Sequence, residues 1–163
     1  MSGNGTASAS GRSRPGLLRP PNIFLAAILS GIALQQWLSL DFVPPGARLL
    51  RWLGAVLCLG AVPLFVLALR AFRAAGTPVQ GHRPTTVVVQ SGPYGRSRNP
   101  IFLSFILLVL GLSLWLNNLW LLLTLAPAAT FIATVVIPRE ERFLERQFGK
   151  PYLDYKRRVR RWL

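Results

Sequence analysis

Four apolar runs alternate with polar breaks along this chain, at residues 22–40, 47–75, 101–116 and 119–137. The first, third and fourth hold no formal charge. In the second, charge is confined to the ends, Arg48 and Arg51 at one and Arg70 and Arg73 at the other. At 1.5 Å per residue the first run makes a helix of about 28 Å, enough to cross the hydrocarbon core of a bilayer. It is too long for the apolar part of a signal peptide, and Gln35-Gln36-Trp37 is a poor cleavage site. Pro44-Pro45 marks a tight connection after it, and Pro63 predicts a kink in the second helix. Asn117-Asn118 is all that separates the third and fourth runs, so these two helices form an antiparallel hairpin. Pro127 predicts a bend in the fourth.

The polar segments carry their own predictions. Residues 1–21 are rich in Gly, Ser, Pro and Arg and have no apolar period, which predicts a disordered basic segment. Residues 22–163 form a single domain by length. Between the second and third runs, Thr85-Thr86-Val87-Val88-Val89-Gln90 is β-branched and favours extended backbone. No partner strand is apparent, so an extended segment packed along the helices is expected. Pro138 opens a charged helix that Gly149 ends and Pro151 keeps from continuing. Beyond it Tyr152, Tyr155, Val159 and Trp162 fall at helical spacing among Lys156, Arg157, Arg158, Arg160 and Arg161. That pattern predicts an amphipathic helix suited to an anionic leaflet.

Charge fixes the class and the expected topology. Lys and Arg number 19 against 5 Asp and Glu, with a mean hydropathy of +0.41. A nucleic-acid domain would interleave its basic residues with apolar ones, whereas here they are segregated, as in a membrane protein. Only Arg48 and Arg51 fall on the side away from the termini, and the other seventeen cations share the termini's side. The positive-inside rule places that side in the cytoplasm. Trp37, Trp52, Trp115 and Trp120 cluster at the opposite ends of the runs, as an outer aromatic belt. Gly54, Gly60 and Gly111 permit close helix contact. The single cysteine, Cys58, excludes an internal disulfide and leaves a zinc site short of ligands, so no metal is expected.

Candidate chemistry concentrates in Ser91-Gly92-Pro93-Tyr94-Gly95-Arg96-Ser97-Arg98-Asn99-Pro100-Ile101-Phe102, a turn and two arginines set directly against the third run. It shares its side with the His82-Arg83-Pro84 loop and the adjacent acids Glu140 and Glu141. Each element also has an ordinary reading. Arg98 suits a residue reaching to lipid phosphates, and the acids suit the first turn of a helix after Pro138. Together they suit a zwitterionic ligand. Arg98 offers a carboxylate partner, Glu140 an ammonium partner, and Val87, Val88, Val89, Tyr94 and Phe102 apolar or aromatic walls.

These motifs carry a family resemblance. Pro-x-x-Val-Val-Val-x-Ser-Gly-Pro-Tyr comes first, then Ser-Arg-Asn-Pro-Ile-Phe, then an apolar hairpin. Arg-Glu-Glu-Arg-Phe-Leu-x-x-x-Phe-Gly-x-x-Tyr-x-x-Tyr-x-x-Arg-Val follows. The order resembles the isoprenylcysteine carboxyl methyltransferase and phospholipid methyltransferase superfamily, over roughly the second half of the chain. The resemblance implies an all-α membrane protein of about four transmembrane helices, with a cytosolic cofactor loop and a C-terminal amphipathic helix. It further implies S-adenosyl-L-methionine as cofactor, contacted by Thr86, Val87, Val88, Val89, Tyr94, Arg98, Asn99, Pro100, Ile101, Phe102 and Glu140. Glu141 matches the second acid, and with Glu140 and Arg139 makes up the expected catalytic group. The isoprenylcysteine enzymes read Arg-His-Pro-x-Tyr where this chain has Asn99 and Phe102, and Asn-Pro is closer to the phospholipid branch. Their substrate-holding arginine falls near Val136, one turn from Arg139.

The implied activity is methyl transfer to a lipophilic or small acceptor at the cytosolic face, in a bacterial inner membrane with both termini inside. Membrane lipids and the acceptor are the expected partners, and nucleic acid is not. A non-catalytic lipid-binding scaffold and a nicotinamide-dependent membrane reductase are the alternatives.

Overall fold

The computed structural model describes residues 20–43, 48–78 and 85–163. The N-terminal segment up to residue 19, the Pro44-Pro45 turn and the His82-Arg83-Pro84 loop lie outside them. The described residues are helical, with no strand among them: α1 (Pro20–Trp37), α2 (Arg48–Ala74), α3 (Pro100–Trp115), α4 (Leu119–Phe131), α5 (Ile137–Phe148) and α6 (Lys150–Arg158). The expected extended segment is present, since residues 85–90 run without ladder partners. Thr86 N–H donates to Thr77 Oγ1 at 2.8 Å, and Gln147 Nε2 donates to the Thr85 carbonyl.

Helix α2 packs on α3, α3 on α4 and α4 on α1. Small residues set the first contact. A methyl group added to Gly54 would lie 2.5 Å from the Trp115 backbone nitrogen and 2.6 Å from the Gly111 carbonyl oxygen. One added to Gly111 would meet Cys58 Sγ at 2.7 Å. Gly54 and Gly111 therefore let α2 and α3 approach backbone to backbone, as small residues do between membrane helices. Gly60 faces open space and takes no part.

The hairpin between α3 and α4 forms as the two asparagines require. Asn117 takes a left-handed φ of +50°, and Asn118 Oδ1 caps α4 by accepting from Leu121 N–H. Asn117 also ties this turn to the α1–α2 connection. Its Oδ1 accepts from Phe42 N–H at 3.1 Å and its Nδ2 donates to the Val43 carbonyl at 2.9 Å. Polar groups are thereby satisfied at this end of the bundle, with Trp37, Trp52 and Trp115 exposed around it.

Two helices, Arg48–Ala74 and Leu119–Phe148, are long and apolar enough to cross a membrane; Pro100–Trp115 is apolar but shorter. Large side chains on the outside of α2, Leu49 (84 % exposed) and Leu59 (73 %) among them, are left uncovered by the described residues. Such a surface suits lipid rather than water.

Two expectations are corrected. Pro138 does not open a new helix, because α4 continues into α5 through a π-helical turn at Ile132–Val136. Proline lacks a backbone donor and crowds the preceding turn; the wider turn, closed by Ile137 N–H to the Ile132 carbonyl, accommodates it without a break. The C-terminal segment, for its part, is not one helix through Trp162. Helix α6 stops at Arg158, Val159 is extended, and the chain turns back across the start of α3.

The Gly54–Gly111 contact yields a direct test. Gly54→Val should destabilise the fold by roughly 1–3 kcal/mol or more through backbone overlap, while Gly60→Val should leave it unchanged. Thermal unfolding in detergent reads both.

Candidate functional site

At the end of the bundle away from the asparagine turn, the helices line a cavity of about 120 Å³, partly open to the outside. Its walls come from α1, α2, α3, α5, α6 and the segment between α2 and α3. Pro20 and Pro21 open α1, Phe72 ends α2, and Val87, Val88 and Val89 come from the extended segment. Tyr94 sits in the 3-10 turn at Gly92–Gly95, its ring edge-on to Phe72 with centroids 5.2 Å apart. Proline at the first position starts α3 just where Arg98 and Asn99 end the loop, so Ile101, Phe102 and Phe105 line the cavity from its first turns. Helix α5 contributes Glu140, Glu141 and Leu144, and α6 contributes Tyr152 and Tyr155.

Glu141 is the electrostatic centre. Its side chain is 7 % exposed and touches three cations. Oε1 lies 3.0 Å from Arg98 Nη1 and accepts from Arg161 Nε at 3.1 Å. Oε2 accepts from Arg161 Nη2 at 2.9 Å and lies 3.6 Å from Lys156 Nζ. Arg161 thus grips the carboxylate with a planar fork, the strongest geometry for such a pair. The bond to Glu141 raises the Arg161 pKa further, against the opposing effect of burial.

Arg98 is bound less completely. Its side chain is 10 % exposed and lines the cavity, yet Nε and Nη1 have no hydrogen-bond partner; the approach of Nη1 to Glu141 lacks the alignment of a bond. Buried donors left unpaired cost about 1–3 kcal/mol each. The Thr85 hydroxyl, also on the cavity wall, is likewise unpaired. Among the described residues these buried groups have no hydrogen-bond partner.

Most of the sequence-predicted residues meet here: Val87, Val88, Val89, Tyr94, Arg98, Asn99, Ile101, Phe102, Glu140 and Glu141 all line the cavity. Pro100 is buried behind it, and Thr86 is exposed, contributing its N–H to Thr77. Arg139 does not join them. Successive helical residues turn by about 100°, so Glu140, Glu141 and Leu144 share a face and Arg139 points to the opposite, exposed side. Sequence reasoning missed Pro20, Pro21, Phe72, Thr85, Phe105, Leu144, Tyr152 and Tyr155 as walls. The helical spacing of the two tyrosines was a visible signal, read there as a lipid-facing stripe.

The three tyrosines of the chain are all in this site and all resist ionisation. Burial is the main cause in each. Neighbouring Tyr155 and Glu140 add to it for Tyr94, and neighbouring Tyr152 for Tyr155. Tyr152 is pushed up to about 12 by burial and the Glu141 charge, with Arg98 opposing. The Tyr155 hydroxyl donates to the Tyr94 carbonyl at 2.9 Å, which needs the proton in place. An acid whose folded pKa is raised favours the folded state below its unfolded pKa, near 10, and loses that contribution as pH rises toward the folded value. Absorbance at 295 nm should therefore show little tyrosinate up to about pH 10, then a rise that coincides with loss of structure, not before it.

Residues 49–151 match the family model for phospholipid methyltransferases. An uncharacterized protein of Haemophilus influenzae is 41 % identical over 63 residues, which make up 39 % of this chain and the whole of that protein. No solved structure matches the chain. The matched interval runs from the start of α2 into α6 and holds both the arginine-bearing loop and the Glu140-Glu141 pair. The chain belongs to the phospholipid methyltransferase family, within the superfamily of membrane methyltransferases that also includes the isoprenylcysteine carboxyl methyltransferases.

Proposed function

We propose that the chain is an integral membrane methyltransferase that uses S-adenosyl-L-methionine to methylate a lipophilic acceptor at the cytosolic face. The observation that carries the reading is the buried, half-satisfied Arg98 on a cavity that also holds Glu140 and a wall of valines and aromatics. The cofactor's amino-acid end requires an anion partner and a cation partner a few ångströms apart, and its adenine requires flat apolar surfaces. Arg98 would receive the carboxylate and Glu140 the ammonium. Val87, Val88, Val89, Tyr94 and Phe102 would flank the base. The bound cofactor supplies an electrophilic methyl group on a sulfonium.

The chain's own residues position and desolvate. Phe72, Phe102 and Phe105 exclude water from the cavity, and low dielectric strengthens the polar contacts at its rim. No metal-binding cluster of His, Cys, Asp or Glu occurs among the described residues. Glu141 is committed to its three cations; on this reading it orders the site and takes no proton from the acceptor.

The surrounding architecture fits a four-span topology in which α1 and α3 cross with the two longer helices and both termini are cytoplasmic, in a bacterial inner membrane. The charge asymmetry and the exposed tryptophans at the far end favour that orientation. The apolar walls at Pro20, Pro21 and Phe105 favour an acceptor arriving from the bilayer. Exposed Arg157, Arg158 and Arg160 suit an anionic leaflet.

Isothermal titration of purified full-length protein in detergent should show binding of S-adenosylmethionine and of S-adenosylhomocysteine; absence of both heats defeats the proposal. Glu140→Gln should weaken either ligand by roughly tenfold or more, as loss of a charge-assisted bond does. Glu145→Gln, whose carboxylate pairs with Lys156, should change binding little. Equal losses at the two positions point to a damaged fold instead.

A further inference from the structure

The C-terminal tail binds the arginine-bearing loop at every step. Arg98 N–H donates to the Arg160 carbonyl at 3.0 Å. Ser97 Oγ and Asn99 Nδ2 both donate to the Arg161 carbonyl, at 3.3 and 3.1 Å. Trp162 packs against the cluster formed by Phe24, Phe102, Val136 and Ile137. Three consecutive loop residues are thus held by two consecutive tail residues, and the Arg161 side chain returns to grip Glu141. All of these tail residues lie beyond the matched interval, which ends at 151.

The division of Glu141 between the two arginines is unequal. The Arg161 fork takes one hydrogen bond on each carboxylate oxygen. Arg98, a residue of the cavity wall, reaches Glu141 through Nη1 alone, and its buried Nε has no hydrogen-bond partner. Without the fork only Lys156 would compete with Arg98 for Glu141, and Arg98 would close on the carboxylate with two parallel bonds, the preferred geometry of an arginine beside a carboxylate. Its guanidinium would then be drawn away from the cavity.

We propose that Arg161 is a positioning residue: by occupying both oxygens of Glu141 it keeps the Arg98 guanidinium at the cavity wall for the carboxylate of the bound cofactor. The tail thereby acts on the site from behind its wall. This rests on the cofactor reading above and goes beyond it by giving the tail a role in ligand affinity.

The test compares two ligands that differ at the amino-acid end. S-adenosylhomocysteine carries the carboxylate that Arg98 is expected to meet, and 5′-methylthioadenosine shares the nucleoside but lacks it. Binding of both is measured by titration calorimetry on full-length wild-type protein, Arg161→Gln and Arg161→Lys. In Arg161→Gln the affinity for S-adenosylhomocysteine should fall by roughly ten- to a hundredfold, with that for 5′-methylthioadenosine unchanged. Arg161→Lys restores charge without the fork, so it should recover only part of the loss. Arg157→Gln, whose guanidinium pairs with Asp154 away from the cavity, should match wild type.

If both ligands weaken in parallel, Arg161 serves the fold alone and the proposal is overturned. It is equally overturned if neither weakens, or if lysine restores binding fully. Wild-type protein that binds neither ligand removes the cofactor reading itself, a failure distinct from the other three.

Discussion

A buried carboxylate among three cations is the constraint on which the rest of this structure depends. Removing Glu141 and Arg98 from water carries a penalty of several kcal/mol per ion, recovered only when geometry and hydrogen bonding are close to ideal. Glu141 meets that condition by drawing Arg98 from the loop before α3, Lys156 from α6 and Arg161 from the tail to one point on α5. Arg98 lies 43 residues before Glu141, while Lys156 and Arg161 follow it by 15 and 20. A pair of this kind adds little net stability relative to apolar packing, but it strongly penalises every arrangement that separates its members. It therefore specifies one assembly of the polar end of a bundle whose apolar helices alone would tolerate several.

The continuity of α4 and α5 gives this constraint its reach. Had Pro138 broken the helix, Glu140 and Glu141 would hang from a loop. The π-helical turn at Ile132–Val136 instead carries the helix through to Phe148, so the acids stand on a rigid extension of the apolar rod. Gly54 and Gly111 do the same for the other half by locking α2 to α3, which fixes the loop that ends in Arg98. Phe24, Phe65 and Phe105 join α1, α2 and α3 at an aromatic junction.

How much of this could be read from the sequence follows from the range of each interaction. The helices and the Asn117-Asn118 turn were legible because hydropathy and turn chemistry act over a few residues. The loop from Tyr94 to Phe102 and the acid pair were legible because polar groups at apolar boundaries stand out without any knowledge of contacts. The tail was not. Tyr152 and Tyr155 at helical spacing say that one face of α6 is covered, and the same pattern serves a lipid surface or the protein's own cavity. Only the tertiary fold distinguishes them, and here it is the cavity. Arg139 adjoins Glu140 in sequence, but at about 100° per residue it lies roughly 200° round the helix from Glu141 and is exposed, away from the cavity.

The composition of the cavity divides its work. Its charged groups gather at Arg98, Glu140 and Glu141. Much of the rest, Pro20, Pro21, Phe72, Phe102 and Phe105 among it, is apolar. Apolar walls separate ligands by size and shape, at about 1–3 kcal/mol per methylene, and reject an added hydroxyl only weakly. On the methyltransferase reading, strict recognition falls on the cofactor and tolerant recognition on the acceptor. The chain places its buried charges, the costliest side chains to hold in position, on the ligand that must be the same in every turnover.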